Sequence, residues 1–345
     1  MAELWDEFIK PVQATGFARE IIDDQEASAT ALTDLFPQER VYAPTYEWAV
    51  NAASNKEIAS YRSYNAESPI IGGGEYETKS AKLAPLSVKE PFLEYERIRR
   101  MAQNSPETVQ QAFNRLNADV TGAMSRRVLL ARVEALVTGK LAIHERGLIQ
   151  NVDFERREDF TRSLGTFWDA GTSADPVEDL EKMVSDFAEE NGGQPARMIT
   201  SQKVISNLMR SSELRAYLGD NSPRLLSREA IQAIFASYGL PAPQIVDDHV
   251  TYKDPVSGAK VSKRLFPEDR IVLTNTDVGV TVWGLTAESG EAEYGLDGDL
   301  PGMVVGAWKT RDPLTYWIHA NATVLPVLRD ANATMSVKVL GDSGN

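Results

Sequence analysis

Between Ser105 and Gly139 the sequence reads as one uninterrupted helix, and few folds have room for it. Ser105 suits the cap, Pro106 the first helical position, and Glu107 places an acid in the first turn. Apolar residues then recur at three and four: Val109, Phe113, Leu116, Val120, Ala123, Met124, Val128, Ala131 and Ala135. Gly139 is the expected stop, with Lys140 beyond it. At 1.5 Å per residue such a rod is ~50 Å long, against a mean helix of roughly 11–12 residues. Its stripe is narrow and partly of small residues, and Arg115, Arg126, Arg127, Arg132 and Glu134 are expected on the other faces. A compact enzyme rarely needs such a beam, whereas an extended, flat subunit does.

Composition narrows the function classes. The 345 residues allow two domains or more, and 42% hydrophobic residues can fill their cores. Fifty acids against 36 bases give a net charge of −14, which argues against a basic nucleic-acid-binding stripe and against docking on anionic lipid. With no cysteine, disulfides, thiolate nucleophiles and cysteine-ligated metals are excluded. The opening residues carry Glu3, Asp6 and Glu7 and no signal-peptide pattern, and no apolar run reaches the ~18 residues of a membrane span. The expectation is a protein made in a reducing cytoplasm, with no membrane partner.

Along the chain, Met1 to Arg40 has too few large apolar residues for a core of its own and reads as an arm lying on something else. Val41 to Val50 has the content of a strand, an edge one given Pro44. Two extended runs, Ala59 to Ile70 and Tyr76 to Val88, flank Gly72-Gly73-Gly74 and predict a long hairpin with a flexible tip. Isolated hairpins are marginal in water, so this one is expected to rest on a neighbouring subunit through Ile70, Ile71, Gly72, Gly73, Gly74 and Tyr76. A short basic helix, Glu94 to Met101, precedes the long one. Beyond it come paired strands around Gly147, an extended run from Phe154 to Trp168, and a helix capped by Asp175 and begun by Pro176. Helices at Ser201–Met209, Glu213–Leu218 and Ser227–Tyr238 follow, then a hairpin around Asp254 to Gly258 and strands to Leu340. The mixture is α+β without a βαβ rhythm.

Chemistry is sparse. Gly72-Gly73-Gly74 lacks the strand–turn–helix setting of a dinucleotide loop, and no Walker-type Gly-Lys-Ser/Thr occurs. His144, His249 and His319 are far apart, and His144-Glu145 lacks the second histidine of a zinc protease motif. His319, between Ile318 and Ala320, reads as structural. Ser125 and Ser289 carry no nucleophile-elbow pattern, and Trp283, Trp308 and Trp317 read as packing rather than a sugar platform. No catalytic residue, cofactor or metal is assigned.

The order of features resembles the major capsid protein of phage lambda and its relatives, the major capsid protein E family. One carrier is the helix exit Val133-Glu134-Ala135-Leu136-Val137-Thr138-Gly139-Lys140-Leu141 with Val152-Asp153-Phe154, Trp168 and Asp175-Pro176-Val177-Glu178-Asp179-Leu180. Another is Lys263-Arg264-Leu265-Phe266-Pro267-Glu268-Asp269-Arg270-Ile271-Val272-Leu273, leading through Asn275-Thr276 to Trp283-Gly284. The last is Asp312-Pro313, Ala322 to Pro326 and Val337 to Leu340. The resemblance implies a Hong Kong 97-like capsid fold. It divides the chain into an N-terminal arm (1–57), an extended loop (58–90), and a peripheral domain (91–176) with a spine helix at 105–138. An axial domain (177–300) and a return to the peripheral domain (301–345) complete it.

It further implies no enzyme activity, self-assembly into hexamers and pentamers, and an icosahedral shell around double-stranded DNA that matures by expansion. Assembly in the bacterial cytoplasm with scaffold and portal proteins, and locking by a small decoration protein, belong to the same expectation. Gly122, mid-helix, is the candidate bend point, or a close-packing site. Some shells of this fold cross-link a loop lysine, and Lys79 and Lys82 lie in that region, but lambda-type proteins do not use this chemistry. An encapsulin-like nanocompartment and, from another class, a soluble acidic hydrolase are the alternatives.

Overall fold

The long helix exists, and it folds for the reasons its stripe predicts. In a computed structural model it spans Pro106–Thr138. Phe113, Leu116, Val120, Met124, Val128, Ala131 and Ala135 are all buried. The structure describes residues 3–4, 9–27, 32–50, 59–64, 66–68, 78–102, 106–217, 225–253, 258–296, 301–312 and 314–341. Ser105, the expected cap, lies outside them. The helix stops at Gly139, which adopts φ +70° and donates its N–H to the Ala135 carbonyl at 2.9 Å. That left-handed conformation is natural to glycine and costs another residue roughly 1–2 kcal/mol. One expectation fails: Arg132, assigned to the polar side, is 2% exposed.

In chain order the first elements are β1 (Glu3–Leu4), α1 (Pro11–Ala27), β2 (Gln38–Arg40), β3 (Thr45–Ala49), β4 (Thr78–Lys82) and β5 (Ala84–Phe92). Then come α2 (Glu94–Met101), the long helix α3, β6 (Lys140–Glu145), β7 (Leu148–Asp153), β8 (Thr161–Ser163), α4 (Pro176–Asn191) and β9 (Arg197–Thr200). Next are α5 (Gln202–Leu208), α6 (Ser212–Ala216), α7 (Arg228–Ser237), β10 (Pro243–Ile245), β11 (His249–Lys253) and β12 (Lys260–Arg264). The chain closes with β13 (Arg270–Thr274), β14 (Gly279–Gly284), β15 (Val304–Arg311), β16 (Leu314–Leu328) and β17 (Thr334–Lys338).

The chain forms two compact units. The first comprises Met1–Tyr46, Ser80–Arg132 and Val280–Val327. Its sheet runs β1-β15-β16-β14-β2, with β5 paired to the long β16 from Tyr316↔Phe92 to Val324↔Ala84. Ala14, Ala18 and Ile22 of α1 join Phe113, Leu116, Val120, Met124 and Val128 of α3 in one core with Val305, Ala307, Ile318 and Ala320. The alanines let backbones approach. Thr15 Oγ1 donates to the Val305 carbonyl at 3.2 Å and accepts from the Val305 N–H at 3.0 Å. Asn117 Nδ2 donates to the Ala14 carbonyl at 3.0 Å. Pro11–Ala27 thus rests on its own chain's sheet, where the resemblance implied an arm reaching a neighbour.

The second unit comprises Glu47–Lys79, Val133–Gly279 and Leu328–Asn345. Its five-stranded sheet, β10-β9-β13-β17-β8, shares a core with α4 to α7. Serine caps fix three of these helices: Ser201, Ser211 and Ser227 accept from the N–H groups of Val204, Leu214 and Ala230, each stabilising by about 1 kcal/mol. Asp175 makes no side-chain capping bond, and Glu213 Oε2 instead accepts the Val177 N–H at 3.1 Å. The run from Phe154 to Trp168 is mostly not a strand: a 3₁₀ turn at Glu158–Phe160 precedes the short β8. Phe160 and Trp168 share a core with Val177, Leu180 and Phe187, so packing groups residues on both sides of the 176/177 boundary.

The hairpins β6–β7 and β11–β12 form as expected, each as a separate two-stranded sheet. The 58–90 region differs from the expected hairpin. β4 pairs with β3, and residues 59–64 and 66–68 carry no strand.

Candidate functional site

The expected intersubunit residues Ile70, Ile71, Gly72, Gly73, Gly74 and Tyr76 lie outside the described residues. What is described is the anchor just after them. Lys79, on β4, forms an ion pair with Glu155 and donates to the Asp153 carbonyl at 3.4 Å. Asp153 also pairs with Lys140 at 2.7 Å and accepts the Glu155 N–H at 2.9 Å. Burial pushes the Asp153 carboxyl up, but the Lys140 hydrogen bond and the Glu155 N–H together hold it below its ordinary value. Two lysines and two carboxylates therefore tie the root of the 58–90 segment to the β6–β7 hairpin, with the Lys79 ammonium engaged in that network.

The described surface carries apolar side chains that this chain does not cover. Leu93, Tyr95 and Ile98, at or beside α2, are 56%, 77% and 58% exposed. The sequence marks this helix as basic, and a stretch of eight residues has too little periodicity to show its apolar side. Ile149, 77% exposed, sits on β7 of a hairpin that no third strand joins among the described residues. Paired strands with bare edges are marginal alone and are templates for further contact.

Gly122, the bend candidate, is buried within an unbroken helical stretch. A methyl group placed on it would meet only the tip of Arg126, at 3.2 Å from Nη1.

No chemistry assembles elsewhere. His144 Nε2 lies 2.7 Å from Asn151 Oδ1. His319 packs edge-on against Trp308 with ring centroids 5.2 Å apart, and burial lowers its pKa, which keeps the ring neutral at pH 7. Ser289 Oγ donates to the Thr286 carbonyl at 2.6 Å, closing a 3₁₀ turn rather than facing a base. Trp308 and Trp317 lie opposite each other on adjacent strands, and Trp283 is buried. Among the described residues no three histidine or acidic side chains converge as a metal site, and no helix is long and apolar enough to cross a membrane.

Comparison with known proteins supplies the rest. A family model described as "Phage major capsid protein E" matches residues 20–339. No curated protein sequence matches. Among solved structures, one assigned as the capsid protein of an Escherichia coli CFT073 prophage superposes with a TM-score of 0.60 at 19% identity, covering 98% of this chain and 99% of its own. A phage-related protein from Bordetella bronchiseptica RB50 superposes with a TM-score of 0.56 at 12% identity, covering 94% and 97%.

Proposed function

The chain belongs to the phage major capsid protein E family, a family of structural capsid proteins rather than enzymes, and has a Hong Kong 97-like fold; from that premise we propose how it works. Copies assemble as hexamers and pentamers into an icosahedral shell that encloses double-stranded DNA without reading its sequence. The observation that carries this is the family match over residues 20–339. The uncovered Leu93, Tyr95, Ile98 and Ile149 support it, because a monomer gains nothing from such side chains and a repeating contact does.

Within this reading, 1–57, apart from the α1 helix that lies on its own sheet, and 58–90 form the contacting segments, and Ile70, Ile71, Gly72, Gly73, Gly74 and Tyr76 meet a neighbouring copy. Residues 91–176 with the C-terminal return form the peripheral domain and 177–300 the axial domain. Scaffold, portal and decoration proteins are the partners, and the host bacterial cytoplasm is the place of assembly. A net charge of −14 suits a wall that must not hold its polyanionic contents.

The test is direct. Purified protein should form monodisperse multi-megadalton shells by light scattering and negative-stain imaging, and a stable particle of tens of kilodaltons would reject the reading. Removing residues 69–77, which spares Lys79 and its anchor, should preserve the circular dichroism spectrum and abolish shells. Normal shells from that deletion would remove the loop from the contact.

Expansion would bend the long helix at Gly122. Gly122→Ala should raise subunit stability by about 0.5–1 kcal/mol, because alanine favours the helix and only the movable Arg126 tip stands near. It should also hold shells at their unexpanded radius. Expansion at the wild-type rate would make Gly122 a packing position only.

A further inference from the structure

The helix α1 has two sides. Ala14, Ala18 and Ile22 are buried in the core that the first unit's sheet shares with α3. On the other side Val12 is 45% exposed and Phe17 36%, and Gly16, Glu20 and Asp24 are exposed with them. A Cβ built on Gly16 would meet nothing within 4 Å, so another backbone can come close at this point. The helix is acidic, with Glu20, Asp23, Asp24 and Glu26 against Arg19 alone.

In the same unit, α2 is its complement. Leu93, just before it, and Tyr95 and Ile98 on it are the most exposed apolar group of this unit's helices, and Tyr95, Ile98 and Arg99 share one side at spacings of three and four. Arg97, Arg99 and Arg100 outweigh Glu94 and Glu96. Each helix therefore bares apolar side chains beside an excess of one charge, and the two charges are opposite. Copies of a chain with net charge −14 repel one another, so a contact between them gains most where a basic surface meets an acidic one. As an arm α1 reaches no neighbour, because its inner side is committed to its own sheet. Its outer side is free to receive one.

We propose that α2 of one copy seats on the outer side of α1 of another, with Tyr95 and Ile98 over Val12, Gly16 and Phe17 and its arginines beside Glu20 and Asp24. The inference rests on the shell reading and deepens it, since it names two surfaces through which copies meet. One helix pair is a small contact, and repetition around a closed particle multiplies it.

Cross-linking tests this in the full-length protein, because the chain has no cysteine of its own. Gly16→Cys and Ile98→Cys subunits are mixed before assembly and treated with a bismaleimide linker. Dimers holding one copy of each variant should exceed those formed by either variant alone at least tenfold. Mixed dimers without shells would keep the contact and reject the shell, whereas shells without mixed dimers would overturn the contact. Charge reversal gives a second readout. Glu20→Lys with Asp24→Lys should raise the concentration needed for assembly at least tenfold at an unchanged melting temperature, and so should Arg97→Glu with Arg99→Glu. All four changes together should return it to within threefold of wild type. An assembly defect in the fourfold variant as large as in either pair alone would overturn the pairing of these two helices.

Discussion

Replacing Arg132 with methionine should destabilise the unassembled subunit by about 3 kcal/mol, although the residue is on no surface that a partner could reach. Its guanidinium is 2% exposed at the point where three elements of the first unit meet. From α3, Nε donates to Thr281 Oγ1 on β14 at 2.8 Å, and Nη1 lies 2.8 Å from Oε1 and 3.0 Å from Oε2 of Glu26 on α1. Thr281 Oγ1 donates onward to the Phe36 carbonyl at 3.3 Å. Methionine matches the stem but abandons all three acceptors. Breaking one side of a buried pair costs about 3–5 kcal/mol, and the lower end applies because Glu26 is still 22% exposed and water can reach it.

The converse substitution is more demanding. Glu26→Gln keeps the shape but leaves a deeply buried cation without its carboxylate, and burial already lowers the Arg132 pKa against the pull of Glu26. It should cost at least as much as Arg132→Met. The double variant should recover more than about 1 kcal/mol of the summed losses, the mark of two groups acting as a pair. Denaturant midpoints at unchanged m-value measure all three variants. A loss under 1 kcal/mol for Arg132→Met would show that the pair's desolvation cancels its attraction and that the three elements are held by apolar packing alone.

Arg132 also shows where sequence reading stops. A period of 3.6 predicts the buried stripe of α3 from Phe113 to Ala135, because each of those residues is apolar and burial follows from hydration alone. An arginine near the same stripe is assigned outward by the same rule. It is inward here because Glu26, over a hundred positions away in sequence, and Thr281 receive it, and no local pattern encodes such a meeting. The hairpins β6–β7 and β11–β12 were legible through local pairing and turn chemistry. The partner of β4 was not: it is β3, and propensity does not rank two strand-like stretches that both precede β4 in the chain. Likewise Met1 to Arg40 reads as an arm that lies on something else because it lacks bulk, and what α1 lies on is β15, which its small residues let it approach closely. The family was legible because it depends on the order of many weak features across most of the chain, which survives errors in any one of them.

Arg156→Met should uncouple the end of the long helix from the loop after β7, with a loss of about 3 kcal/mol. The last carbonyls of any helix lack intrahelical donors. Here a single guanidinium serves them: Nη2 donates to the Leu136 carbonyl at 2.6 Å and Ala135 at 3.5 Å, and Nη1 to Val137 at 3.2 Å, with Thr161 Oγ1 at 3.3 Å. A cation at a helix C-terminus is also favoured by the dipole. Glu155, at φ +57°, turns the chain so that Arg156 enters, and Gly139 leaves the space, since a Cβ there would stand 3.0 Å from Arg156 Cβ. The Ala135 carbonyl keeps the Gly139 N–H, so methionine strands those of Leu136 and Val137; each costs roughly 1–3 kcal/mol, and release of a buried charge returns part of it. Arg156→Lys keeps the charge but reaches fewer carbonyls, so it should recover less than half of the loss.

Gly139→Ala should be damaging in the wild type and in the Arg156→Met background alike, because the closest approach is to the Cβ of residue 156, which methionine retains, and the left-handed backbone costs roughly 1–2 kcal/mol in both. The pH dependence has a definite sign. Burial, and secondarily Arg270, lower the Arg156 pKa to about 9, so the group is protonated at pH 7 in both the folded and unfolded chain. Above that value the unfolded chain binds the extra proton, and stability contributed by this residue rises with pH. The gap between wild type and Arg156→Met should therefore be flat from pH 6 to 8 and widen above pH ~9. A gap that narrows with alkalinity would mean that the charge, rather than the reach of the fork to three carbonyls, holds the helix end.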